Sequence, residues 1–141
     1  MKKLVLLIAL LAFSASLIEK ANGQCIVTLT EPSAVSYGTL ASGDETICSG
    51  GDPANIAFST APSGGPTSIT FSYLWYYKNE IVTTCPTGTD VTGWTSTGVT
   101  TSSYDPPSNL TTSRTYAVVV NPSSCGVATW ASGCRKVTVN T

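Results

Sequence analysis

Between Ile69 and Lys78 the chain changes side-chain character residue by residue. Ile69, Phe71, Tyr73, Trp75 and Tyr77 alternate with Thr70, Ser72, Leu74, Tyr76 and Lys78. Successive side chains of a strand point to opposite faces, so this two-residue period predicts a strand with one large aromatic face buried. Shorter rows of the same period follow at Tyr116, Val118 and Val120, at Val137 and Val139, and at Ile56 and Phe58. Gly- and Pro-rich turn signals separate them: Ser49 to Pro53, Pro62 to Pro66, Pro86 to Gly88, Asp105 to Pro107, and Asn121-Pro122. Past the N-terminal leader no stretch has an apolar 3.6-residue period. Several short strands in one domain's length of chain predict an all-β sandwich.

A long strand carrying a Trp, followed by a later strand carrying a Tyr, fits the immunoglobulin-like version of that sandwich. Trp75 then belongs in the core and Tyr116 near a corner of the sandwich.

The first residues read as an export signal. Lys2 and Lys3 precede an apolar run from Leu4 to about Ile18, and Ala21-Asn22-Gly23 places small residues at a cleavage site. The run is short for a membrane span, which needs about 20 residues. An uncleaved anchor is the competing reading. Cleavage after residue 23 would start the mature chain at Gln24, secreted or at the cell surface, with no stable membrane insertion.

From Gln24 onward the charged residues are Lys78, Arg114, Arg135 and Lys136 against Glu31, Asp44, Glu45, Asp52, Glu80, Asp90 and Asp105, a net charge of −3. A nucleic-acid binder needs a basic face, and this balance lacks one. The sequence has no histidine. That excludes Ser-His-Asp and Cys-His nucleophile systems and any His-ligated metal. No phosphate-cradling loop or nucleophile elbow occurs, so neither an enzyme nor a cofactor is expected.

Five cysteines follow the leader: Cys25, Cys48, Cys85, Cys125 and Cys134. In an oxidising compartment cysteines pair, and an odd count leaves one free or bonded to another molecule. Cys25, almost at the mature N-terminus, is read as that odd residue. No CxxC spacing occurs, so disulfides are favoured over zinc or redox chemistry.

The run Thr46-Ile47-Cys48-Ser49-Gly50-Gly51-Asp52-Pro53, followed by Tyr73-Leu74-Trp75-Tyr76-Tyr77, resembles the Ig-like repeat module of secreted and surface proteins of Bacteroidota. The likeness continues through Ser103 to Pro107 and Leu110 to Val118, and ends with Trp130 to Lys136 running into Val137-Thr138-Val139. It implies an Ig-like sandwich with an extracellular role. It also implies that Cys48 pairs with a late cysteine, by position Cys125, which would leave Cys85 and Cys134 as the second pair. The family's modules usually occur in tandem, whereas here one module stands alone with an added N-terminal segment.

The expected organisation is a signal peptide over 1–23, a strand and linker segment over 24–43, and the sandwich over 44–141. In the added segment Cys25, Val27 and Leu29 alternate with Ile26, Thr28 and Thr30, and Glu31-Pro32 ends the run. Val35, Tyr37 and Thr39 suit a further extended piece, hinged by Ser42-Gly43. An unpaired strand and an open sheet edge satisfy each other's backbone groups, so insertion of Cys25–Thr30 into a neighbouring copy would build a filament. Self is then the partner, and a disulfide through Cys25 would lock each joint. The competing readings are a first strand of the chain's own sandwich, and an adhesion module holding glycans on Trp94, Trp130, Tyr76 and Tyr104.

Minor signals complete the reading. Asp44, Glu45 and Asp52 flank turns but match no calcium loop, and solvated turn acids are favoured. Asn109-Leu110-Thr111 is a glycosylation sequon, making Asn109 a modification candidate. Arg135 and Lys136 are read as guarding a sheet edge.

Overall fold

The computed structural model describes residues 34–66 and 68–141. Among them are eight strands: β1 (Thr39–Leu40), β2 (Glu45–Cys48), β3 (Phe58–Thr60), β4 (Phe71–Lys78), β5 (Thr95–Ser96), β6 (Arg114–Pro122), β7 (Thr129–Trp130) and β8 (Arg135–Asn140). No helix occurs among the described residues. The strands form two sheets packed as a β-sandwich, as the alternation predicts.

The larger sheet runs β2-β8-β6-β4-β5, with β7 paired to the later half of β6. Its spine is the antiparallel pair β4–β6, in register from Phe71↔Pro122 to Lys78↔Thr115. Strand β2 lies parallel to β8, from Glu45↔Val137 to Cys48↔Asn140. In the smaller sheet β1 pairs with β3, extended by bridges at Ser36↔Ser63 and Ile56↔Tyr104.

The two sheets are tied along one side. Leu40 N–H donates to Ser132 O at 2.9 Å, and Ser132 N–H donates to Gly38 O at 3.0 Å. Strand β1 therefore has β3 on one flank and the β7–β8 connection on the other. The stretch Ser36 to Leu40, expected as linker, is built into the sandwich, and Leu40 is 3% exposed. Gly38 makes this possible. Its φ is +77°, and a Cβ there would lie 2.7 Å from Thr60 O.

Phe71, Tyr73, Trp75 and Tyr77 face the space between the sheets, as their period requires. Trp75 is fully buried, stacked on Tyr104 at 5.5 Å, and its Nε1 donates to Thr101 O at 2.8 Å. Ile56, Leu110, Val118, Val120 and Val137 fill the rest of this core. Tyr116 is also fully buried, packed at 5.5 Å from Tyr104. Burial raises the pKa of both phenols. At Tyr104 the neighbouring Tyr116 adds to the rise, and at Tyr116 the Arg114 guanidinium opposes it.

The opposite face of the larger sheet is covered as well, which a single buried face does not anticipate. Tyr76, Ala117, Val119, Trp130 and Cys134 form a second apolar cluster with Val82, Cys85 and Trp94 from the 79–94 connection. Thr115 anchors the start of that connection. Its buried hydroxyl donates to Glu80 O at 2.7 Å and accepts Val82 N–H at 3.1 Å. Trp130 holds the far end, donating from Nε1 to Asp90 O and from its backbone to Gly88 O. The Cys85–Cys134 disulfide, with Cα atoms 5.4 Å apart, closes the cover.

Candidate functional site

The hydrogen-bond pattern leaves the side of the sandwich opposite the Leu40–Ser132 tie partly open. Along β4, Trp75 N–H donates to Val99 O at 3.1 Å and Trp75 O accepts Thr97 N–H at 2.9 Å. Odd-numbered residues of β4 therefore turn both backbone groups away from β6. Strand β5 pairs only with Tyr76 and Tyr77. Beyond Trp75, the outward N–H and C=O of Phe71 and Tyr73 meet no backbone partner among the described residues.

The smaller sheet has its own free flank on this side. Ile56 exchanges both backbone bonds with Tyr104, at 2.7 and 2.8 Å, whereas Ala57 O accepts Ala41 N–H on the β1 side. By the same alternation the backbone groups of Phe58 face away from β1, past the end of the Tyr104 pairing. Phe58 packs between the two free flanks, its ring 5.6 Å from Tyr73 and 6.4 Å from Trp75. Phe58, Phe71 and Tyr73 are only partly buried. The opening thus has two backbone edges and an aromatic floor. The segment from Thr97 to Tyr104 crosses between the sheets and closes only the half beside Trp75.

Strand β2 is the other edge of the larger sheet. Ser49 N–H donates to Asn140 O at 2.8 Å, so Glu45, Ile47 and Ser49 face β8 while Thr46 and Cys48 face outward. That edge is short. Cys48 O accepts Gly51 N–H at 2.9 Å, and Gly50 and Gly51 then turn away to bond Leu110.

The cysteines depart from the expected pattern. Cys85–Cys134 forms as expected. Cys48 does not pair with Cys125: its thiol is free and exposed on the β2 edge. Cys125 is disulfide-bonded. Cys48 ends on the outer edge strand β2, with β8 between it and β6, whereas Cys125 sits at φ +59° in the β6–β7 turn. Cys25 and the whole expected donor run, Ile26, Val27, Thr28, Leu29 and Thr30, lie outside the described residues, as does the signal peptide.

The remaining sequence candidates are placed as follows. Of the four candidate sugar-stacking aromatics, Trp130 and Tyr104 are buried. Trp94 and Tyr76 are half-buried and pack on Trp130 at 5.2 Å. Glu45 is engaged by Arg135 at 3.1 Å and by Ala54 N–H at 3.0 Å, and Asp44 accepts Lys136 N–H at 3.1 Å. Asp90, in an exposed turn, has its pKa lowered by hydrogen bonds from Thr92. Among the described residues Asp44, Glu45 and Asp52 form no metal cluster. Arg135 and Lys136 guard no edge, since β8 lies between β2 and β6 and Arg135 instead ties β2 to it. Asn109 is exposed at φ +63°, a conformation Asn tolerates.

One shallow cleft of about 420 Å³ lies beside the cover, lined by Lys78, Glu80, Ile81, Val82, Pro86 and Trp94 among others. Lys78 bridges it, ion-paired to Glu80 at 3.2 Å and 5.6 Å above the Trp94 ring. Among the described lining residues no unpaired cation remains to recognise an anion.

No family model matches the chain, and no curated protein or solved structure matches it either. The open flank was not readable in the sequence, because the alternation over residues 69–78 gives no sign of which half a neighbour covers.

Proposed function

We propose that this protein is an exported structural subunit, an Ig-like sandwich that joins copies of itself by adding its N-terminal strand to a neighbour's sheet. The observation that carries this reading is the strand-like run Cys25–Thr30, which precedes a sandwich whose two sheets are built from residues 36–140 and keep edges unpaired among the described residues. Free N–H and C=O groups on an edge are a template for a further strand. A strand passed from each copy to the next makes a head-to-tail contact, which propagates as a filament. The loss of exposed aromatics to the two apolar clusters argues against the glycan-binding alternative. The parallel β2–β8 pair and the Trp75 core support the Ig-like assignment.

The cysteine count refines the joint. Cys85 and Cys134 are bonded to each other, Cys48 is free and Cys125 is bonded, so Cys25 is the one cysteine left to complete the count. Cys125 is already bonded in the single chain, so a Cys25–Cys125 bond closes within one copy, and a joint locked through Cys25 would require that bond to be exchanged between copies. Its formation joins two sulfurs and passes two protons and two electrons to a thiol–disulfide oxidant of the exporting compartment.

Electron microscopy of the mature chain, purified from an oxidising compartment, tests the assembly. Filaments lost on deletion of residues 24–33 support strand addition, and single particles at every concentration refute it. Non-reducing peptide mapping tests the lock. A Cys25–Cys125 bond found only within single chains overturns the covalent joint and leaves strand pairing alone to hold the copies.

A further inference from the structure

We propose that the cleft beside the cover is a binding site for an uncharged carbohydrate, separate from any joint between copies. The cleft continues past Lys78. A second hollow of about 340 Å³, lined by Lys78, Asn79, Glu80, Gly93 and Thr95, adjoins the one of about 420 Å³. Both hollows have Lys78 and Glu80 in their walls, so the ion pair lies between two halves of one surface groove.

Charge selects the ligand class. Lys78 and Glu80 neutralise each other at 3.2 Å, so neither an anion nor a cation meets a net opposite charge. The remaining polar lining is hydroxyl and amide, from Thr83, Thr84, Thr95 and Asn79. Arg114 Nε donates to Asn79 Oδ1 at 2.9 Å, which commits that oxygen and leaves the amide N–H groups as donors. Lys78 takes Glu80 Oε1, and the second carboxylate oxygen is an acceptor for a hydroxyl. Donors and acceptors together, without net charge, match a polyhydroxyl ligand. An aliphatic ligand would bury the Thr and Asn groups without partners.

Trp94 supplies the apolar element. It is half-buried, packed 5.2 Å from Trp130, with Lys78 Nζ 5.6 Å over its ring. Lys78 therefore covers the ring face that a sugar would use. Little holds it there: the Glu80 side chain is 63% exposed, and an exposed ion pair is weak. The lysine swings aside at small cost, and the C–H face of a pyranose ring replaces it on the indole. This is one ring at the wall of a groove, unlike a row of exposed aromatics, which the burial of Trp130 and Tyr104 removes.

NMR titration of the mature chain tests the site, with uncharged oligosaccharides of glucose, mannose and xylose as probes and oligogalacturonate as the anionic control. The Trp75 and Trp130 indole N–H groups are committed to Thr101 O and Asp90 O. The expected result is a shift of the Trp94 indole signal with an uncharged oligosaccharide, while the Trp75 signal stays in place. Asn79→Ala with Glu80→Ala changes two exposed positions outside both apolar clusters, and binding should weaken by about tenfold or more. Absence of binding by every uncharged probe overturns the proposal. So does tighter binding of oligogalacturonate, which would contradict the charge argument. Binding unchanged in the double variant places the sugar elsewhere and overturns the assigned groove. These outcomes are independent of whether filaments form.

Discussion

Removing the clasp on the covered sheet face, by Cys85→Ala with Cys134→Ala, gives a perturbation whose size follows from the chain path. The two residues are 49 apart in sequence. Cross-linking a loop of that length removes chain entropy from the unfolded state worth about 4 kcal/mol at 25 °C. A domain of this size has about 5–15 kcal/mol of stability in total, so the loss is a large fraction of it. Urea unfolding reads it directly. With a slope of about 1–3 kcal/mol/M, the midpoint falls by roughly 1.3–4 M. Because the clasp holds the 79–94 connection over Trp130, fluorescence of Trp94 and Trp130 should shift to the red before global unfolding. A loss below about 1 kcal/mol would refute the reasoning, since it would mean that the Thr115 and Trp130 hydrogen bonds alone hold the cover.

Four further outcomes follow from the geometry. Thr115→Val keeps the shape but strips Glu80 O and Val82 N–H of their shared partner; stability should fall by about 1–3 kcal/mol, with faster exchange at Val82 as the local sign. Trp75→Ala empties the centre of the core and should cost about 3–5 kcal/mol in the same urea assay. Under native, non-reducing conditions iodoacetamide should modify Cys48 alone, as mass spectrometry of the peptides would show. Tyr104 and Tyr116 govern the alkaline limit: unfolded phenols ionise near 10, the folded values are raised, and the folded state therefore holds these protons more tightly. Their contribution is complete below about pH 10 and is lost as pH rises through the folded values, so phenolate absorbance and loss of near-UV ellipticity should rise together.

How far the sequence could be read depends on which interactions leave a local mark. The strand from Phe71 to Lys78 was legible because its aromatic face meets one core, and side-chain period records that meeting. The rows at Tyr116, Val118 and Val120 and at Val137 and Val139 were legible for the same reason. The cover over the opposite face was not. Val82, Cys85 and Trp94 are scattered through a Thr-, Pro- and Gly-rich connection, and hydrogen bonds to Thr115 and Trp130, far along the chain, hold them in place. Cysteine pairing is equally non-local. Cys48 ends on the outer edge of the larger sheet, and no spacing rule records that position.

The open flank shows the limit most sharply, because an edge is a property of what is missing beside a strand. Nothing in Phe71-Ser72-Tyr73-Leu74 distinguishes a half with a neighbour from a half without one. The distinction arises only because β5 is two residues long and the Thr97–Tyr104 segment leaves early for the other sheet. Natural sheets commonly blunt such an edge with charge, Pro or a bulge. Here the exposed alternate residues are Thr70 and Ser72, and the first charge is Lys78 at the far end of the strand. An edge left neutral, with half-buried aromatic rings beneath it, is an aggregation hazard unless some strand is meant to cover it. Cys25–Thr30 has strand alternation and lies outside the described residues; such a strand tied to its own chain would close the edge within one copy, whereas one passed onward would build a fibre as proposed above. The same contacts serve both arrangements, so concentration and the order of disulfide closure, more than any difference in interface, should select between them.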